Sequence, residues 1–361
     1  MPTESRPTKP VPTEPVQAEI ASTTLPFISI MLPIRNEEKF IGETLQQLYQ
    51  QDYDKNLYEV IIADGESNDS TVLIVQKFSE LHPDFNLKIL NNPLKRSSAA
   101  RNLAVKNARG DYILLIDGHV HIPSNSLLSF YGHAAINNNA KVLGRPQPLN
   151  PPNINRFQRT LALARSSFLA HSGESFIYSS FEGWTSPISI GVMYHSSIFD
   201  EVGFFDESFD AAEDLEFNYR LEKAGLQCYT APNLTVNYYP RDSLKTLFKQ
   251  MTRYGYGRAL FINKHPERFT LETIIPAGFL VFLCMLPLCL IFGGWILLLW
   301  LGISATYTLA LTIETLRLSR KTKNISIFFI APIIFCVHMG MGYGFLTGTY
   351  KMVRQRLARK K

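Results

Sequence analysis

The sequence predicts an α/β protein with a parallel sheet, followed by helices built for a membrane. Three observations carry that reading. Short apolar runs of strand type alternate with amphipathic helical runs through the first third of the chain. Acidic residues stand at the ends of two of those strands. Ile274 to Ile313 then passes without a single charge.

Phe27 to Leu32 is a short apolar run that Pro33 stops. Asn36-Glu37-Glu38 opens a helix that carries Phe40, Ile41, Leu45, Leu48 and Tyr49 at helical spacing. The theme repeats: a strand through Ile62, an acidic turn, and a helix from Ser70 to Leu81. A strand from Leu87 to Leu90, the loop NNPLKRSS, a helix from Ala99 to Ala108, a Gly110-Asp111 turn and the strand YILLID follow. Strands and helices joined by short links predict parallel pairing. Ligands of such sheets bind at the carboxyl ends of the strands. Asp64 and Asp117 stand at such ends and are expected to line one crevice. Beyond Ser124 the pattern is less regular. It predicts a helix after Pro123, another around Phe157 to Leu169, a strand from Ile188 to Tyr194, and a helix from Glu213 to Ala224 with Gly225 just past its end.

The chain has 361 residues and a net charge of +5. Its basic residues gather near the apolar C-terminal third and do not interleave with aromatics along one surface. That pattern excludes a nucleic-acid partner and points to membrane lipids. Four cysteines fall at no metal-type or disulfide-type spacing, which predicts a reduced, cytosolic main domain. Residues 1–25 are rich in Pro, Thr and Glu and lack the apolar stretch of a signal peptide, so they read as a disordered tail. The expected organisation is that tail, a main domain over 26–240, an interfacial amphipathic segment over 241–272, two or three transmembrane helices over 273–350, and a basic tail over 351–361.

One bilayer crossing takes roughly 20 apolar residues. The uncharged run therefore fits two helices joined at Phe292-Gly293-Gly294. Trp295 and Trp300 suit an interface or the filling of a core. A basic loop with Arg317, Arg320, Lys321 and Lys323 precedes a further apolar run from Ile325 to Leu346. With the main domain inside, the hairpin also keeps this loop inside, as the positive-inside rule requires. A full third crossing would push the more basic tail out. Pro332 and the glycines at 340, 342, 344 and 348 offer the other expectation, a bent or re-entrant segment that returns the tail to the cytoplasmic face.

SIMLPIRNEEKFIGETLQQLYQQ, IIADGESNDST, SSAARNLAVKNARGDYILLIDGHV and AAEDLEFNYRLEKAG, in this order, resemble family 2 glycosyltransferases of the GT-A fold, a Rossmann-like mixed sheet. The spelling IDGH followed by HIP resembles the succinoglycan-type glucosyltransferase branch, which acts on lipid-linked sugars. The resemblance implies a nucleotide-sugar donor, with a UDP-hexose expected, and a divalent cation, Mg²⁺ or Mn²⁺. Pro33, Arg35 and Glu37 match the family's first nucleotide-binding loop; a helix-terminal charge complementing the macrodipole would equally account for Glu37. Asp64 matches the carboxylate that contacts base and ribose, and Asp69 the one beside the uridine. Arg96 and Arg101 bracket a helix start suited to a diphosphate. Asp117 matches the metal and diphosphate ligand. His119 stands where the family usually has a second Asp. Strand alternation puts it on the same side as Asp117, where it would bind the ion, Mn²⁺ more readily than Mg²⁺, or hydrogen-bond a phosphate. His121 reads as structural.

Asp214 matches the family's base, with Glu213 as the near alternative. Gln250, Arg253 and Tyr254 resemble the QxxRW element of processive synthases with Tyr in place of Trp. Arg253 would clamp a phosphate or the acceptor, and the same segment also reads as an interfacial helix. The implied activity is inverting transfer of a hexose to a lipid-linked oligosaccharide in exopolysaccharide or cell-surface glycan synthesis. It implies a multi-pass protein of the cell (inner) membrane with its catalytic domain cytoplasmic. The alternatives are transfer directly onto a lipid, a polyprenyl phosphate or a ceramide, and a catalytically inactive membrane scaffold of a polysaccharide synthesis complex.

Overall fold

The computed structural model describes residues 24–170, 177, 180–320 and 326–359. The tail expected over residues 1–25 lies outside the described residues up to residue 23, as do Lys321 and Lys323 of the basic loop and the last two lysines.

The chain enters as β1 (Ile28–Ile34), α1 (Ile41–Tyr49), β2 (Tyr58–Asp64), α2 (Thr71–Leu81), β3 (Leu87–Asn91), α3 (Ser97–Asn107) and β4 (Tyr112–Leu115). Their strands lie parallel in the order β3-β2-β1-β4. Strands covered on both faces lose the alternation of polar and apolar residues, and β2 is buried along its whole length. Ile28, Ile30 and Leu32 face a core shared with Ile41, Leu45 and Val75 of α1 and α2. Met31 and Ile61 face the opposite core, with Ala104 and Val105 of α3.

Then come β5 (Val120–His121), α4 (Leu127–Asn137), β6 (Val142–Gly144), α5 (Arg156–Arg165), β7 (Gly183–Thr185), β8 (Gly191–His195), α6 (Ile198–Val202), α7 (Glu213–Lys223), β9 (Cys228–Thr230) and β10 (Asn237–Tyr238). β8 enters the sheet antiparallel to both β4 and β6, which makes the sheet mixed. The parallel pairing expected from the alternation of elements thus runs through the first four strands and recurs once beyond them, between β6 and β9. The strand expected from Ile188 begins at Gly191. Ser186 caps a 3₁₀ turn over Pro187–Ser189 by accepting from the Ile188 amide, and that turn consumes the intended start. α5 ends at Arg165 instead of Leu169; an Asn155/Gln158 capping box fixes its start. β5 and β10 form a separate antiparallel ribbon that pairs Val120 with Tyr238.

The C-terminal part consists of α8 (Leu244–Lys264), α9 (Leu271–Cys284), α10 (Leu286–Phe292), α11 (Gly294–Ser319) and α12 (Ile327–Arg359). Among the described residues α11 and α12 are each long and apolar enough to cross a membrane, and α9 with α10 forms a further candidate bent by 45°. Pro287, at the second position of α10, has no N–H to continue the helix across that bend. The hairpin turn falls at Gly293 and Gly294, both in the left-handed region at φ 58° and 55°.

α12 runs unbroken through Pro332 and all four glycines, so these residues do not interrupt the helix or turn it back as a re-entrant loop. The glycines are instead contact points. A Cβ at Gly344 would sit 2.0 Å from Thr252 O of α8, and one at Gly340 2.6 Å from Met251 Cβ. Reciprocally, a Cβ at Gly255 would sit 2.1 Å from Met341 O. Small residues four apart let two helix backbones approach closely. Gly344→Leu is expected to cost about 1–3 kcal/mol by overpacking this contact. Gly302→Ala, which meets open space on α11, should stay within about 0.5 kcal/mol. Thermal unfolding of the detergent-solubilised variants checks this; equal midpoints would contradict it.

Candidate active site

The carboxyl ends of β1 and β2 release two loops that lace together. Asn36 sits at φ 58° and accepts from the Asn68 amide, while its own amide donates to Ser67 Oγ (2.8 Å). Asp64 is buried and accepts from the Ser67 amide and hydroxyl. Asp69 accepts from the amides of Glu38 (3.3 Å) and Thr71 (3.0 Å). Burial pushes its carboxyl up, but the bonds from Thr71 and Glu38 outweigh burial and hold it below the usual range. Asp69 therefore ties the two loops together. The Arg35 side chain lies over Gly65, where a Cβ would meet its Cδ at 3.3 Å. Pro33 is part of β1 itself, paired with Ala63.

Asp117 follows the end of β4. Its Oδ2 receives Arg145 Nη2 at 3.3 Å, and Arg145 Nη1 donates to Leu115 O at 2.7 Å. Arg145 is 2% exposed, so this guanidinium fixes the carboxylate from below. His119 stands between Glu37 Oε1, 2.8 Å from its Nδ1, and the Tyr238 hydroxyl at its Nε2. A carboxylate only accepts, so Nδ1–H donates to Glu37 and Nε2 accepts from the phenol. Burial, then the nearby charges, push the Tyr238 hydroxyl well above its ordinary pKa and keep it a donor. His121 bonds Gln47 on α1 through Nδ1 (2.9 Å).

The residues present fit a divalent cation in a limited way. Among the described residues no three His, Cys, Asp or Glu side chains converge as a metal cluster. Both nitrogens of His119 are engaged. Asp117 Oδ1 has no partner among the described residues, and one carboxylate oxygen suffices for a hard cation whose shell phosphates complete.

The opposite wall is the start of α7. Ala212, at φ 64°, turns the chain so that Glu213 points inward and Asp214 outward. A non-glycine residue in that region is strained and is held by its surroundings. Here Gly257 of α8 does the holding: a Cβ there would lie 2.5 Å from Ala211 O. Glu213 is buried against Arg101 Nη2 at 3.1 Å, and both side chains are under 10% exposed. Burial pulls the Arg101 guanidinium down, but Glu213, then Asp214 and Asp117, more than offset it and raise it. Arg101 Nε and Nη1 are buried without a hydrogen-bond partner. Asp214 is exposed. The loop before it is clasped on both sides. Ser98 and Asn102 of α3 bond Phe209 O and Phe205 O, Arg96 bonds Glu207 O, and Arg253 bonds Asp210 O (2.8 Å). Gln250 Nε2 reaches Tyr254 Oη at 3.4 Å, and Arg258 feels the Asp214 charge.

The structure thus gathers Arg101, Asp117, Glu213 and Asp214 into one charged group, with Glu37, His119 and Asp64 along the neighbouring loops. Arg96 and Arg253 brace the loop that precedes Glu213. The sequence reading did not single out Arg145, Tyr238 or Arg258. Arg145 follows a short apolar strand just as Asp64 and Asp117 do, and that position was its signal. Tyr238 carried no comparable mark.

This fold and site define a nucleotide-sugar transferase. Residues 29–202 match the model of Glycosyl transferase family 2. The chain is 31% identical over 336 residues to a dolichyl N-acetyl-α-D-glucosaminyl phosphate 3-β-D-2,3-diacetamido-2,3-dideoxy-β-D-glucuronosyltransferase of Methanococcus voltae, covering 90% of this chain and 98% of that protein. It is 31% identical over 249 residues to the succinoglycan biosynthesis protein ExoA of Rhizobium meliloti, covering 68% of this chain and 73% of that one. Among solved structures, a mannosyltransferase of Pyrobaculum calidifontis in complex with GDP-mannose and Mn²⁺ aligns with a TM-score of 0.62 at 16% identity, over 95% of this chain and 91% of the other. The chain belongs to the family 2 glycosyltransferases. It is an enzyme of the GT-A fold that transfers sugar from a nucleotide sugar.

Glu213→Gln leaves Arg101 as an uncompensated buried charge, a loss of about 3–5 kcal/mol. Adding Arg101→Met to that variant should recover most of it. Denaturant titration of the two variants checks the pair; equal destabilisation in the single and double variants would contradict it.

Proposed function

We propose that this enzyme moves a hexose, with inversion, from a nucleoside diphosphate sugar of the UDP class to a lipid-linked saccharide at the membrane surface. The observation that carries the reading is the turn at Ala212. It exposes Asp214 beside a buried Arg101–Glu213 pair, and it rests on a helix of the membrane-associated part.

The base and ribose lie against the laced loops, with Pro33, Arg35, Glu37 and Asp64 as the contacts and Asp69 as their tie. Asp117, held by Arg145, offers Oδ1 to a divalent cation, Mg²⁺ or Mn²⁺, which would neutralise charge on the diphosphate. Arg101, buried beside Glu213, adds its positive charge behind the same anion, with exposed Arg96 further out. Asp214 takes the proton from the acceptor hydroxyl. That oxygen forms the new bond to the anomeric carbon as the bond to the diphosphate oxygen breaks on the opposite face. Glu213, committed to Arg101, sets the direction of Asp214 and does not take the proton. Arg253, with Gln250 and Tyr254, lines the acceptor side.

The name of the Methanococcus voltae relative describes a dolichyl-phosphate-linked acceptor, which supports a polyprenyl-linked saccharide here. An acceptor confined to the bilayer meets a membrane-held enzyme at raised effective concentration. A cytoplasmic catalytic domain accords with the basic loop at Arg317 and Arg320.

Membranes containing the protein, incubated with labelled nucleotide sugars with and without EDTA, test this. One donor should label extractable lipid in a metal-dependent way, and Asp214→Asn should lower the rate about 10²- to 10⁴-fold. Wild-type labelling by Asp214→Asn would refute the assignment of the base.

A further inference from the structure

α12 passes every compositional requirement for a membrane span. Its contacts place it elsewhere. α8 is docked on the catalytic domain along its C-terminal half. Arg253 bonds Asp210 O, Gly257 abuts Ala211, and Lys264 bonds Asp206 and Glu216 at 2.5 and 2.8 Å. α12 follows α8 in the same direction. Cys336 Sγ meets Leu244 O at 3.5 Å, Gly340 meets Met251, Gly344 meets Thr252, and Gly348 meets Ala259. Arg356 reaches Asn263 at the far end. Residues 340–356 therefore lie at the level of the catalytic domain's own surface.

The other end of α12 is on the same side. The Ser326 amide donates to Thr160 Oγ1 of α5 at 2.9 Å, and the Phe157 and Phe329 rings pack 5.3 Å apart. α5 is tied back to the chain beside β10 by Gln158 Nε2, which donates to Pro240 O at 2.8 Å. A helix that crossed the bilayer would carry one end roughly 30 Å from the domain. α12 does not. The contrast with α11 is direct: 44% of the apolar window of α12 is buried within the protein, against 6% of that of α11.

The two faces of α12 differ. Ile330, Ile333, Val337 and the glycines pack inward on α5, α8, α9 and α11, with Gly342 against Pro276 and Ala277 of α9. Phe328, Phe335, Tyr343, Tyr350 and Leu357 are exposed. They recur every seven or eight residues, which at 3.6 residues per turn puts them on one face. Exposed Lys351, Arg354 and Arg356 occupy the last turns. An aromatic face beside basic residues is the pattern of a helix seated at the headgroup boundary of an anionic bilayer.

We propose that α12 lies in the plane of the membrane surface, with its aromatic face in the headgroup region and both ends on the catalytic side. Only the α9/α10–α11 hairpin then crosses. The proposal rests on these contacts and does not depend on the sugar or acceptor.

The test uses the full chain in sealed vesicles of both orientations, with an impermeant maleimide. Single cysteines are placed by Glu80→Cys, Phe292→Cys, Arg320→Cys and Ala358→Cys after the four native cysteines are changed to Ala. Positions 80, 320 and 358 should label from one side and 292 from the other. Labelling of 358 together with 292 would overturn the proposal. Should the cysteine-free chain fold poorly, a protease site after Lys361 of the otherwise native chain gives the same readout. Nitroxides at Phe328→Cys, Tyr343→Cys and Tyr350→Cys should report one shallow, oxygen-accessible depth. A deep Tyr343→Cys would mean a crossing. Spin–spin broadening between copies without oxygen access would assign this face to a second copy of the chain. Either result would defeat the lipid assignment.

Discussion

A buried arginine cannot be left alone. Arg101 lies under the sheet's carboxyl edge, and taking an ion out of water costs several kcal/mol unless a partner compensates. Glu213 is that partner, and the demand for it shapes much of what surrounds it. It draws the first residue of α7 inward. It requires the left-handed turn at Ala212, and it leaves the next side chain, Asp214, facing outward. It also binds α7 to α3, so the two walls of the site are held at one joint. Of two adjacent acids, one is consumed as structure and the other is left exposed in the crevice.

The same economy operates around Asp117 and His119. Arg145 takes one oxygen of Asp117, and Glu37 with Tyr238 takes both nitrogens of His119. The imidazole becomes a link between the loop after β1 and the β5–β10 ribbon. Since β10 leads within a few residues into α8, that link also connects the loop after β1 to the C-terminal helices. Of Asp117 and His119, only Asp117 keeps an atom without a hydrogen-bond partner among the described residues.

Much of this architecture was legible in the sequence, for identifiable reasons. β1 to β4 are short apolar runs separated by amphipathic helices, and local periodicity reports such elements well. Asp64, Asp117 and the Glu213-Asp214 pair were marked by their positions at strand ends and a helix start. Antiparallel β8 was not legible as such, because strand direction depends on a chain path through the irregular stretch before it. Arg145 and Tyr238 act through contacts with residues far away in sequence. The glycines of α12 were visible but their purpose was not: glycine permits a bend and a close approach equally, and only the backbone of α8 at 2.0 Å from a Cβ on Gly344 decides between them.

In the proposed mechanism the turn at Ala212 depends on α8, whose Gly257 abuts Ala211. Gly257→Ala tests that dependence most directly, since its methyl group would meet Ala211 O at 2.5 Å. Steady-state transfer kinetics should reveal a kcat lowered about tenfold or more, the loss that small misplacements of reacting groups produce. Donor binding, measured by nucleotide titration of the same preparation, should be unchanged. Wild-type kcat in this variant, or a loss of donor binding equal to the loss of kcat, would contradict the claim that α8 positions Asp214.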